Sequence, residues 1–512
     1  MQESDSPTKV TDGVVAAPTV EEAKARIVQE AGEIVTWVLG CQSLTFFAFE
    51  TQLVPKVLTL GRLFMQLFLC MRQEQYQVKH PGPQRGYKRI GPNSRLLGTV
   101  FGKARYWRMY LYRKGNGYYP LDVELGLTKD GFSMVLRSCA TWIATKVSYA
   151  QATLILARFL HWSPAQESVE DMVLGLGQHT GTWFESAPAP EGDGEVLVIQ
   201  VDSKATPTAT EAELEKRRGK RKPNPHPGSQ RHRGRAARQR RGPKKRRKKG
   251  DKAKNGKLAT IVTIYTLQRS ADGQLEGPIN KKVYASYAPK RHAVAIARRE
   301  ANKRGFGPQS GKPVQIVTDG DNDLQRYIEE LFPEAIHTVD VYHVIEYLWK
   351  AGQCLFKEGS DELLEWVESQ KERLYDGRAE EIVVEIDKQL AQLDPSKCST
   401  RERLQKVQTY IHKRVDKMNY KELRERDLEI SSGAVEGAVN YVIAKRFDSG
   451  GMRWIKERAE HLLQLRCIEV NGDWDAFIEF VHDKTREQAQ QQRKNLSLKR
   501  TNPAPLPTYG LI

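Results

Sequence analysis

Cysteine is scarce in this chain: six among 512 residues, at positions 41, 70, 139, 354, 398 and 467, with no C-x-x-C pair. A disulfide framework and a zinc ribbon are therefore not expected, and reduced thiols are. Long apolar runs are missing too. The most apolar stretch, Val57–Met71, is shorter than the roughly 20 residues a bilayer needs, and it carries Arg62 and Gln66. The opening MQESDSPTKVTDG has no apolar h-region, so a secretory signal is not expected and a cytoplasmic chain is. Acidic residues are absent from Lys216–Lys249, which holds 18 Lys or Arg and no Asp or Glu. That one segment accounts for the whole net charge of +18, leaving 63 bases against 63 acids elsewhere. A near-neutral body with one polycationic arm points first to polyanionic partners such as nucleic acid.

What is present reads as several domains. Residues 1–20 look like a disordered tail, and 21–80 are helical by period, with a second apolar run after Pro55. Residues 81–130 read as a linker and short β region: PGPQRGYKRIGPNSR as extended loop, then aromatic and β-branched alternation over Thr99–Tyr112 and a GNG turn. Residues 131–190 are helical. There Ser148 and Gln151 form a capping box, and Ser163, Pro164 and Gln166 repeat the start signal, as a helix-turn-helix requires and as any helical hairpin would also show.

From Gly194 the chain changes character. EVLVIQVD, LATIVTIYTL (258–267), KKVYASYA (281–288), PVQIVTDG (313–320) and AIHTVDVYH (335–343) read as strands, with helices over 292–304 and 321–332. Three strands in a meander followed by alternating helix and strand is the element order of an RNase H-like α/β fold. The first part of that core spans 194–343, interrupted by the basic insertion 214–256. An all-α insertion fills 344–430 with Pro395 as its break, helices return at 431–482, and 483–512 read as a disordered tail.

Three carboxylates stand out. Asp202 and Asp319 close buried strands, and Glu436 lies in a first helical turn after Ser431-Ser432-Gly433. Functional groups of open α/β sheets gather at strand carboxyl ends, and clustered carboxylates suit hard divalent cations: two Mg²⁺ ions, with Mn²⁺ as substitute. Taken singly, Asp319 could be only a helix N-cap and Glu436 a dipole-favoured residue.

The segments VIQVDSKATP, IVTDGDNDL, VDVYHVIEYLWKAG, SSGAVEGAVNYVIAKRFDSGGMRW and HLLQLRCIEVNGDW resemble the DDE transposases of the ISKra-type bacterial insertion-sequence group, relatives of the Mutator-like and ISL-type transposases. The resemblance covers about residues 95–480. It implies an enzyme that binds the terminal inverted repeats of its element, hydrolyses a phosphodiester there and joins the freed 3′-OH to target DNA. Asp202, Asp319 and Glu436 then form the catalytic, metal-holding triad, with His343 and Asn440 as auxiliary residues. Where relatives carry C-x-x-H, this chain has Asp340-Val-Tyr-His343, so His343 matches and Asp340 departs. DNA contacts are expected from Lys216, Arg217, Arg218, Arg240, Arg241, Lys244, Lys245, Arg246 and Arg247 of the arm, and from Lys445, Arg446, Arg453 and Trp454. The arm offers charge without aromatics, so it should add affinity without sequence preference, as a clamp along phosphates or as a plain tether. The expected protein is a nucleoid-associated bacterial homo-oligomer, at least a dimer, with no membrane partner. A nuclease without strand transfer and a non-catalytic DNA-binding derivative of a transposase are the alternatives.

Overall fold

A computed structural model describes residues 17–79, 87–113, 116–217, 256–394, 396, 398–448 and 452–497. The chain divides into two compact units, residues 1–176 with 475–512 and residues 177–474.

In the first unit a capping box at Thr19 and Glu22 starts α1 (Val20–Gly40), which packs on α2 (Phe46–Lys79). The α2 helix runs straight through Pro55 rather than starting after it. One face of α2, with Leu63, Leu69, Gln73 and Tyr76 buried, lies against a three-stranded antiparallel sheet of β1 (Lys88–Thr99), β2 (Gly102–Arg113) and β3 (Asn116–Tyr118). The other face leaves Phe47, Val54, Val57, Phe64, Phe68, Met71 and Val78 exposed at the three-, four- and seven-residue steps of a coiled-coil seam. The expectation that no segment is long enough to span a bilayer needs correcting: Phe46–Lys79 qualifies by length and composition. Arg62 and Gln66 sit inside a continuous 34-residue helix, and they do not interrupt it.

The stretch expected as a linker is largely strand β1. Its Gly91-Pro92 pair falls at a register shift between Ile90 and Asn93, a bulge where the ladder needs no proline N–H. After α3 (Pro120–Glu124) and α4 (Met134–Lys146), the Ser148–Gln151 capping box opens α5 (Tyr149–Leu160) as its sequence requires. The next helix, α6 (Gln166–Gly177), begins at Gln166, later than the Ser-Pro signal suggests.

The second unit opens with α7 (Thr180–Ser186) and is built on a five-stranded mixed sheet. Its order is β6 (Leu275–Ser286), β5 (Gly256–Arg269), β4 (Val196–Pro207), β7 (Val314–Thr318) and β8 (Ile336–Val339). The β4–β5 and β5–β6 pairs are antiparallel, while β7 runs parallel to both β4 and β8. Alternate residues of the sheet serve two cores. Leu197, Ile199, Val201 and Ile316 pack with α9 (Lys290–Lys303) and α10 (Asn322–Leu331). Val196, Val198 and Tyr265 share the opposite core with a helical layer: α11 (Val341–Leu355), α12 (Asp361–Tyr375), α13 (Ala379–Gln392), α14 (Cys398–His412) and α15 (Tyr420–Glu425). That layer is the expected all-α insertion, though it also turns at 356–360 and 376–378. Pro395 lies outside the described residues.

Two departures concern the remainder. Glu436 belongs to a short α16 (Gly433–Ala438), and the rest of the expected helix, Val439–Asp448, is π-helical. After α17 (Lys456–Val470), α18 runs Trp474–Ser497, so much of the expected C-terminal tail is helix. The basic insertion begins inside α8 (Glu211–Arg217), while residues 218–255, like 1–16, lie outside the described residues.

Candidate functional site

The parallel pairing of β4 with β7 sets the site. Its last paired residues are Val201 and Thr318, so Asp202 and Asp319 each stand one residue beyond the same rung. Asp202 does not end its strand, because β4 continues to Pro207 against β5; it is the first residue past the stretch that has a neighbour on both sides. The period of two puts Gln200 on the face of Asp202, and Gln315 on that of Asp319. Both glutamines are buried in otherwise apolar strands. Each binds the chain leading into α16. Gln200 accepts from the Val435 amide at 2.9 Å and donates to the Ser431 carbonyl at 3.1 Å. Gln315 donates to the Glu429 carbonyl at 2.6 Å and accepts from its amide at 3.0 Å. Two buried amide side chains, projecting from the face of the sheet, thus tie β4 and β7 to the chain around the start of α16, which carries Glu436.

The adjacent β8 contributes Asp340, fully buried where the strand passes into α11. It accepts from the Tyr342 amide at 2.8 Å, from His343 Nδ1 at 2.9 Å and from the Ser432 hydroxyl. The Ser432 hydroxyl oxygen also lies 3.3 Å from Glu436 Oε1, so its one proton is shared between the two carboxylates. Burial alone would raise the Asp340 carboxyl, but these donors hold it below the ordinary range. The same hydrogen bond pushes His343 up to about 9, with Asp319 adding to the effect through space. His343 therefore carries a proton at neutral pH.

Burial pushes the Asp202 carboxyl up; the Ser203 amide opposes this, and the charges of Asp319 and Glu436 reinforce it. The sequence-nominated residues Asp202, Asp319, Glu436 and His343 are thus in electrostatic contact. The tightest group is a different one. Among the described residues, Asp340, His343 and Glu436 have ligand atoms all within 4.8 Å of one another, and Asp202 and Asp319 do not belong to that group. Four carboxylates gathered at one edge make an oxygen donor set suited to a hard divalent cation, with the protonated His343 beside it rather than among the donors. Like charges held this close repel unless a cation lies between them.

Asp319 is not a helix cap: that role belongs to Asp321, whose carboxylate accepts from the amides of Asp323 and Leu324. The Asp319 side chain accepts from the Asp321 amide at 2.9 Å, and its carbonyl accepts from Tyr410. Asn440 is exposed at the start of the π-helical stretch, where the even four-residue step from Glu436 no longer applies.

Two expected DNA contacts are corrected. Arg446 is only 1% exposed and lies over the Trp454 ring, 4.7 Å from its centroid. Trp454 is itself buried and donates its indole N–H to the Phe447 carbonyl. A guanidinium and an indole enclosed in a core do not reach phosphates. Lys445 and Arg453 are exposed. Lys216 and Arg217 close α8, and the arm residues from Arg218 to Arg247 lie outside the described residues.

Sequence reasoning does not find Gln200, Gln315 or Ser432, and it leaves the role of Asp340 open. The signal for the glutamines is faint but real: one inside VLVIQVD and another inside VQIVTD are polar interruptions of buried strands. No family model matches this chain, and no curated protein is similar to it.

Proposed function

We propose that this protein is a metal-dependent DNA transposase, binding the terminal inverted repeats of an insertion sequence and cutting and joining DNA strands at the centre formed by Asp202, Asp319 and Glu436. The observation that carries this reading is the pair of aspartates one step beyond the Val201–Thr318 rung, with Glu436 in electrostatic contact. The sheet order supports an RNase H-like reading of the fold: a meander on one side of β4 and two parallel strands on the other. The net charge of +18 supports a nucleic-acid partner, and the exposed seam of α2 supports a second copy of the chain.

Asp202, Asp319 and Glu436 would hold Mg²⁺ or Mn²⁺, which supplies Lewis-acid charge at the attacking and leaving oxygens of the phosphodiester. The chain's own part is placement. Gln200 and Gln315 hold Glu436 against the sheet, and Asp340 fixes the His343 ring so that its protonated edge offers positive charge at the rim of the centre. An imidazolium there favours a phosphate and opposes a further cation.

The test is incubation of the full chain with element-end DNA, a target plasmid and Mg²⁺ or Mn²⁺. Joined products are expected, and chelation should abolish them. Cleavage without joining would indicate a nuclease, and a mobility shift without cutting a binding protein. Asp202→Asn should lower product formation by at least about a thousandfold, the scale of a lost electrostatic stabiliser, and leave DNA affinity within about twofold. A variant that no longer binds DNA would make Asp202 structural.

A further inference from the structure

An open groove of about 770 Å³ begins at Asp319 and runs between α11 and α14. We infer that it holds the DNA strand leading away from the carboxylate centre, with Lys350, Arg403, Lys406 and Lys413 against its phosphates; this rests on the proposed function and adds the path of the substrate. Arg403 and Lys406, three residues apart, line one side of α14, and Lys413 stands in the turn that follows its last residue, His412. From Arg403 to His412 the helix rises about 14 Å, with Lys413 just past its end, close to the axial length of four phosphates on one strand of a duplex. None of the three has an ion pair among the described residues, and Lys350 has only an exposed one with Glu346 at 3.4 Å. The groove's own acids are Asp319 at its head and Asp321, which is neutralised by Lys290 at 2.7 Å.

The floor of the groove shows which part of DNA fits. Tyr347 and Tyr410 stack on each other at 3.8 Å and 6°. Lys350 covers the outer face of this pair at Tyr347, and Arg414 lies over Tyr410, both 4.3 Å from the ring centroids. With both ring faces taken, the tyrosines offer no platform for a base, so the surface reads charge rather than sequence. The floor is also tied to the centre. Tyr410 donates to the Asp319 carbonyl at 2.8 Å, and Arg414 donates to the Gly320 carbonyl at 2.8 Å and to Asn322 at 2.6 Å. Phosphates seated along α14 are thereby held at a fixed distance from the loop that carries Asp319.

The experiment compares the full-length protein with the triple variant Arg403→Gln, Lys406→Gln, Lys413→Gln. Affinity is measured against salt for a long duplex end and for one truncated at the cleavage position on either side. On the long duplex the slope of log K against log salt should fall by about 2 to 3, which is about 0.9 for each phosphate no longer neutralised. On one of the truncated duplexes the two proteins should have equal slopes. A charge-keeping variant, Arg403→Lys with Lys406→Arg and Lys413→Arg, should restore the original slope, separating lost charge from a damaged fold. If the original protein binds DNA and the Gln variant shows the same slope on every duplex, the groove inference falls alone. If the charge-keeping variant loses as much slope as the Gln variant, it falls as well. If the original protein binds no DNA, both the groove and the transposase reading fall. A loss seen with RNA of the same sequence but not with DNA also overturns it.

Discussion

At the scale of single residues, the loop after β7 is the most constrained part of the site. Gly320 sits at φ +78°, a left-handed conformation that costs a side-chain-bearing residue about 1–2 kcal/mol. A Cβ there would also lie 2.8 Å from both Arg414 Nε and the Tyr410 hydroxyl. Gly320→Ala should therefore destabilise the protein by about 2–3 kcal/mol, measured by denaturant unfolding, and reduce any activity that depends on Asp319. Nearby, His337 bonds to the Thr318 hydroxyl at 3.0 Å, while its Nδ1 is buried with no partner. Burial first, and the Lys417 charge second, hold His337 down at about 4. The native state thus keeps this ring neutral, whereas the unfolded chain takes up the proton near pH 6.5. Its contribution to stability is intact above pH 6.5 and is lost as pH falls towards 4. His337→Gln, which keeps a partner for Thr318, should flatten the fall of Tm over that window; an identical fall in both proteins would refute this.

At the scale of elements, the decisive contacts are the two glutamine clamps that join β4 and β7 to the chain before α16. Gln200→Leu would deprive the Ser431 carbonyl and the Tyr265 hydroxyl of their Gln200 donor and leave the Val435 amide with the Ser432 carbonyl alone, a loss of about 2–4 kcal/mol. Leu348→Ala in α11, also fully buried, should destabilise by a similar amount, about 2–5 kcal/mol, through a cavity in the helical layer. The pair separates position from stability. Strand cleavage should fall at least tenfold further in Gln200→Leu than in Leu348→Ala at a temperature where both are folded, because only the first releases Glu436. Equal losses would show that the clamp serves stability alone. The π-helical Val439–Asp448 belongs to the same scale: it rotates the residues after Glu436 away from the face a regular helix would give them, and it encloses Arg446.

At the scale of the whole molecule, charge is the dominant property. The segment 216–249 carries 18 bases without an acid, and the groove along α14 adds a second, smaller band of cations. Deleting 216–249 should lower the salt slope of DNA binding on every duplex, long or truncated, by about 0.9 for each phosphate that the arm neutralises. That sequence-blind and length-blind loss distinguishes the arm from the groove, whose effect depends on which side of the cleavage position is present. An unchanged slope after the deletion would reduce the arm to a tether.

Local pattern is enough to determine the five strands of the larger sheet, most helices and the residues that end the parallel rung, though not β1, because apolar period and capping residues act over a few positions and β1 has neither. It nominates Asp202, Asp319 and Glu436 for the same reason, whereas His343 is nominated by the family resemblance alone. Which groups meet is a matter of the tertiary fold. Gln200 and Ser431 are 231 positions apart, and Asp340 and Ser432 are 92 apart; no local pattern records such a pairing. The fold likewise makes Arg446 and Trp454, a cation and an aromatic on paper, into core residues, since burial depends on what the rest of the chain packs against them.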